Sequence, residues 1–119
     1  MSTPWGAVQH CKIIKRGVSI VTTSSHGGMR ISKGFAEKNL STAAINRATV
    51  LGNYLFYEED CDIAIPAFEL EDIQEDVFGE NARQQLLKSL SMWNLDYLNE
   101  RGITPNEEGA KAYRELMRR

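Results

Sequence analysis

Ala82, Leu86, Leu90, Trp93 and Tyr97 recur at spacings of four and three, joined by Leu87 and Leu98. That period fits one face of an α-helix and no strand, so it predicts a helix over Glu80–Arg101, about six turns long. A helix with a single apolar stripe has to bury it against another element. Gly102 stands where such a helix would stop. Thr104-Pro105-Asn106-Glu107 then supplies an N-cap, a proline at the first helical position and acids in the first turn. A last helix to about Arg118 is predicted, with Ala112, Tyr113, Leu116 and Met117 as buried contacts. Gly109 within it costs roughly 1 kcal/mol relative to alanine and suits a close approach between helices.

The surface that receives these helices lies at the other end of the chain. Val8–Ile14 and Val18–Thr23 are rich in β-branched residues, with a turn signal at Lys15-Arg16-Gly17 between them. Ser24-Ser25-His26-Gly27-Gly28 breaks the second run, and Met29-Arg30-Ile31 reads as a third strand. An antiparallel three-stranded meander needs one face covered. Ser32 can cap a helix from Lys33, and Ser41 or Thr42 another over Ala43–Leu51. Tyr54-Leu55-Phe56-Tyr57 is an apolar cluster suited to the core. Glu58–Ile65 reads as a helix with carboxylates in its first turn, limited by Pro66. Strands first and helices after predict an α+β fold, an N-terminal three-stranded antiparallel β-meander packed against C-terminal α-helices. The 119 residues suit one domain over 1–119, with strands at about 8–31 and the helical part at about 33–118.

Hydrophobic residues make up 42% of the chain and charged residues 25%, which are globular values and argue against global disorder. No run approaches the ~18–20 apolar residues of a membrane span, and Met1–Gly6 has no apolar run of a leader type. Two cysteines, Cys11 and Cys61, make no disulfide framework. A cytoplasmic protein is the expectation, without a membrane partner. The net charge of −2 conceals a division. Residues 1–48 carry seven basic side chains against one acid, Glu37, whereas ten of the sixteen carboxylates fall between Thr49 and Ala82, a stretch with no Lys or Arg. Such polarity constrains partners more than it constrains the fold.

Few residues offer reaction chemistry. His26 and Cys61 could form a base–nucleophile pair, but the carboxylates flanking Cys61 oppose thiolate formation. Glu58, Asp60 and Asp62 offer oxygen ligands, yet the sixth position of a calcium loop counted from Asp60 is Ile65 instead of glycine. Ser25-His26-Gly27-Gly28 lacks the Lys-Ser/Thr ending of a phosphate loop. Lys12, Lys15, Arg16, Arg30 and Lys33 are scattered, so direct nucleic-acid binding is not expected. No catalytic residue, metal or cofactor is assigned from the sequence.

Thr3-Pro4-Trp5-Gly6, Ser25-His26-Gly27-Gly28 and Tyr57-Glu58-Glu59-Asp60-Cys61-Asp62, in that order, resemble an uncharacterised small domain of bacteriophage and conjugative-plasmid proteins. The resemblance covers about residues 3–68 and leaves the helices after Glu80 outside. Ile63 stands where that pattern has an aromatic residue, and Pro66 interrupts a longer apolar helix. Trp5, His26, Gly27, Gly28, Tyr57, Glu58, Asp60 and Cys61 are thus expected to form a structural motif. The resemblance implies a mobile-element origin and carries no established reaction.

Together these features suggest a non-enzymatic phage or plasmid interaction protein acting in the cytoplasm of a bacterial host cell. Spaced carboxylates can imitate a nucleic-acid backbone. The expected partner is a host protein with a basic nucleic-acid-binding surface, and the expected effect is inhibition of a defence complex, of the anti-CRISPR or anti-restriction type. Glu69, Glu71, Asp72, Glu75 and Asp76 are the expected contacts, with Phe68 and Phe78 as apolar anchors. The alternatives are a small enzyme using His26 and Cys61, or an assembly module that self-associates, as a homodimer, through the 80–101 helix.

Overall fold

The computed structural model describes residues 2–118, with the side chains of Ala110, Tyr113 and Met117 outside the described set. Its fold is α+β. A short hairpin, β1 (Ser2–Thr3) and β2 (Gly6–Ala7), precedes a five-stranded antiparallel sheet. The strands of that sheet are β3 (His10–Lys15), β4 (Val18–Thr22), β5 (Gly27–Ser32), β6 (Thr49–Leu51) and β7 (Tyr54–Glu58), in the order β3-β4-β5-β7-β6. The three strands foreseen at the N-terminus are therefore part of a larger sheet. Thr49–Leu51 turns back as a strand instead of completing a helix, and Tyr54–Glu58 pairs with β5.

Helices α1 (Lys33–Asn39) and α2 (Thr42–Asn46) cross from β5 to β6. Ser32 Oγ accepts from Phe35 N, and Ser41 Oγ accepts from Ala44 N, so each helix starts at the hydroxyl that can satisfy its first free amides. Residues 59–63 form a turn, not the helix expected over Glu58–Ile65. Helix α3 (Ala64–Glu69) begins after it, with Pro66 in its first turn, where the missing N–H costs nothing. A 3-10 turn at Glu71–Ile73 and α4 (Gln74–Phe78) carry the acidic segment.

The long helix predicted over 80–101 is two helices, α5 (Ala82–Trp93) and α6 (Leu95–Arg101). They part at Asn94, whose φ of −133° and ψ of 46° are not helical. Its side-chain amide donates to the Cys61 carbonyl at 3.0 Å. The break lets Leu86 and Leu90 on one helix and Tyr97 and Leu98 on the other share a core, while Trp93 is left half exposed. Helix α7 (Glu107–Met117) is capped by Asn106, two residues later than Thr104, with Asn106 Oδ1 accepting from Gly109 N. Ala112 is half-buried and Leu116 exposed, and the other two expected contacts, Tyr113 and Met117, lie outside the described side chains. A Cβ on Gly109 would lie 2.6 Å from the Lys88 carbonyl oxygen, so glycine is what allows α7 to approach α5.

One face of the sheet supplies Val18, Met29, Ile31, Leu55 and Tyr57 to a core closed by the helices. Tyr57 is fully buried and its hydroxyl donates to the Ala44 carbonyl at 2.7 Å, tying β7 to α2. Trp5 packs across the opposite face, edge-on to Phe56 with ring centroids 5.8 Å apart. There it lies directly over Gly28, where an added Cβ would come within 2.6 Å of the Trp5 ring and collide with the Tyr57 carbonyl oxygen. The outer strand β3 carries Lys12, Lys15 and a register irregularity, features that discourage edge-to-edge pairing.

Gly28→Ala is expected to lower unfolding free energy by at least about 2 kcal/mol, because neither backbone nor indole can yield. Gly34→Ala, exposed on α1 with nothing within 4 Å of the new Cβ, is expected to be neutral or to stabilise by up to about 1 kcal/mol. Urea denaturation of the two variants beside the parent protein checks this contrast.

Candidate functional site

The β5–β7 pairing sets Gly28 opposite Glu58 and so carries the His26 turn to the start of the acidic turn. Glu59 N donates to the Gly27 carbonyl at 3.0 Å, and Ile63 N donates to the Glu58 carbonyl at 2.8 Å. On the other side Thr23 Oγ1 accepts from His26 N at 3.1 Å. Backbone hydrogen bonds therefore hold both segments. The three sequence segments that carried the resemblance meet here: Trp5 covers Gly28, and His26-Gly27-Gly28 abuts Tyr57–Asp62.

Within this junction the ligand atoms of Glu58, Cys61 and Asp62 all lie within 4.8 Å of one another. His26 Nδ1 stands 3.7 Å from Glu58 Oε1. Asp60, one residue from Cys61, faces solvent. Burial pushes the Cys61 thiol up, and the charges of Asp62 and Glu58 add to it. Burial also pushes the Asp62 carboxyl up, with the Glu58 charge in the same direction. A thiol held protonated is the reverse of an activated nucleophile. The junction brings His26 to Glu58, yet the electrostatics do not suit covalent catalysis by Cys61.

The acidic segment divides into carboxylates that are paired within the domain and carboxylates that are not. The Glu69 side chain is 7% exposed and lies in the interior. It accepts from Ser41 N at 2.7 Å and from Ser41 Oγ at 2.6 Å, is hydrogen-bonded by the Tyr97 hydroxyl, and is ion-paired with Arg101. Phe68 is buried as well, with the Arg83 guanidinium 4.3 Å from its ring centre. These two residues, expected as partner contacts, hold the domain together instead, because the first turn of α2 and the last turn of α6 both need an acceptor here. Glu71 pairs with Arg83 at 3.1 Å and Asp72 with Lys15. Glu75 and Asp76 are exposed and make no ion pair among the described residues.

Asp76 and Glu59, seventeen positions apart in the sequence, line one cleft of about 320 Å³. Its walls are Ile14, Ile20, Ile63, Val77 and Phe78, and Lys12 is the cation that lines it. Sequence reasoning placed Phe78 and Asp76 at a binding surface but missed Ile14, Ile20 and Glu59. Ile14 sits on a strand edge and Glu59 in a turn, and no periodicity connects them. Among the described residues, no helix is long and apolar enough to cross a membrane.

Removing the Glu69 side chain leaves Arg101, a third exposed, and the Tyr97 hydroxyl without their acceptor. Glu69→Ala is expected to cost about 2–3 kcal/mol by urea denaturation, the lower range for a broken buried pair because Arg101 reaches solvent. Glu71→Ala, at an exposed pair, is expected to stay within about 1 kcal/mol of the parent. The hydroxyls of Tyr57 and Tyr97 are both pushed well above the usual range, first by burial and then by Glu69. Folding therefore holds two protons that the unfolded chain releases near pH ~10. This contribution is intact below that pH and is lost above it, so the urea midpoint is expected to fall between about pH 9 and about pH 11.

No curated protein and no solved structure matches the chain. One family does, and its match runs over residues 1–119, so the helices after Glu80 lie inside the family and not beyond its edge. The chain belongs to the family described as Domain of unknown function (DUF7007).

Proposed function

We propose that this protein is a non-catalytic interaction protein that engages a basic surface of a nucleic-acid-processing complex and thereby inhibits it, in the manner of mobile-element proteins directed against host defence. The observation that carries this reading is a cleft lined by two carboxylates, Glu59 and Asp76, and one cation, Lys12, together with Ile14, Ile20, Ile63, Val77 and Phe78. The apolar side chains supply desolvated contact area, while the two carboxylates, which make no ion pair among the described residues, favour Lys and Arg on the partner. Glu75 and Asp60, next in sequence to Asp76 and Glu59, are exposed as well and add to the negative charge of this part of the surface. Glu71 and Asp72 contribute less charge than their sequence position suggests, since Arg83 and Lys15 offset them. The raised Cys61 thiol favours this reading over an enzyme that uses Cys61 and His26.

The test is a charge reversal. Host lysate proteins retained by the immobilised chain at low salt are identified, and binding is measured again with Glu59→Lys/Asp76→Lys and with the control Glu37→Lys on α1. Loss of a basic partner in the double variant, with binding retained in the control and thermal stability unchanged in both, is expected. Parent binding is expected to weaken by at least about tenfold between ~0.05 and ~0.5 M salt, because exposed charges are screened. Equal binding by the double variant, insensitive to salt, sinks the proposal.

A further inference from the structure

The junction of His26 with Glu58, Cys61 and Asp62 contains a donor set that the binding cleft does not use. We infer that Glu58, Cys61 and Asp62 form a zinc-type divalent cation site, with His26, 3.7 Å from Glu58 but outside the 4.8 Å cluster, turning in as the fourth donor. Three observations carry this inference. First, one sulfur and two carboxylate oxygens already lie within 4.8 Å of one another, close enough for one ion to bridge them with small side-chain rotations. Second, the donors are mixed: a thiol and an imidazole beside two carboxylates suit a borderline ion such as zinc, whereas a hard ion such as calcium or magnesium favours oxygen throughout. Third, the anionic groups converge without a Lys or Arg. Among the described residues no Lys or Arg pairs with Glu58 or Asp62, and the His26 imidazole is the group facing Glu58, at 3.7 Å.

The backbone around the donors is fixed independently of any ion. The Cys61 carbonyl accepts from Asn94 Nδ2 at the α5–α6 break, and the Glu59 amide is tied to Gly27. Cys61 and Asp62 therefore sit on a turn braced from two sides, the condition under which side chains can be held for coordination. His26 is half exposed, so turning its ring toward the ion would not need to displace the core. The site joins the β5 end of the sheet to the turn before α3, so an ion there would cross-link the two segments. Binding releases the thiol proton to solvent as the thiolate ligand forms.

The full chain, stripped with chelator and kept reduced, is titrated with cobalt(II) alone as the spectroscopic probe and then with zinc in competition. One equivalent of cobalt is expected to produce a near-ultraviolet thiolate-to-cobalt charge-transfer band, displaced by one equivalent of zinc. The band is expected to persist in Cys11→Ser and to vanish in Cys61→Ser. Asp62→Asn and His26→Ala are each expected to weaken zinc binding by at least about tenfold. Circular dichroism of each variant separates loss of a ligand from loss of the fold. No band in the parent protein, or a band that follows Cys11 instead of Cys61, overturns the site. Unchanged zinc affinity in His26→Ala overturns the fourth-ligand assignment. Because Glu59 and Asp76 are not varied here, failure of this test leaves the cleft proposal to its own experiment.

Discussion

The pairing of β5 with β7 is the contact on which the rest of the molecule depends. It joins residues separated by two helices and strand β6, and it puts Gly28 opposite Glu58, Met29 opposite Tyr57 and Ile31 opposite Leu55. The last two of these pairs stack apolar side chains on the core face. The first requires a residue without a Cβ, because Trp5 and the Tyr57 carbonyl fill the space. A one-residue slip would turn every side chain of β7 to the wrong face and bury Glu58 in the core. The same register delivers His26 to the acidic turn. Core packing and site geometry are thus consequences of one strand alignment.

Charge is organised at a second level. Read along the chain, the stretch from Glu58 to Glu80 is uniformly acidic. Folded, Glu69 meets Arg101, Glu71 meets Arg83 and Asp72 meets Lys15, partners drawn from both flanking segments. Glu69 is the member of this group that does structural work, since it satisfies the Ser41 amide and hydroxyl, Tyr97 and Arg101 at once. What remains exposed and without an ion-pair partner among the described residues is a smaller set, Glu59, Asp60, Glu75, Asp76 and Glu80. A charge run therefore identifies where acids are concentrated but not which of them remain free.

Local signals were legible wherever a residue acts through its own backbone neighbourhood. Ser32 and Ser41 cap α1 and α2 because their hydroxyls reach amides three residues on. The first strands, the helical region after Ala82, and Gly109 as a point of close helix approach follow from similarly short-range rules. The turn at residues 59–63 was misread as helix because clustered carboxylates also suit a helix N-terminus. The interruption at Asn94 left no mark on the apolar period, since its cause is a carbonyl thirty-three residues earlier. Strand β6 is three residues long with no buried position, too short to outweigh the helical pattern before it.

The sequence by itself determined the class of fold and most of its elements, because periodicity, capping and turn chemistry act over a few residues. The resemblance grouped Trp5, His26, Gly27, Gly28, Tyr57, Glu58, Asp60 and Cys61 as one expected motif, without stating a geometry. The tertiary structure decided the burial of Glu69 and Phe68, the separation of α5 from α6, and the placing of Glu59 and Asp76 in one cleft. It likewise brought Cys61, Asp62 and Glu58 within reach of a single ion. These outcomes depend on contacts between residues tens of positions apart, whose strength comes from burial and from the few partners that packing leaves available.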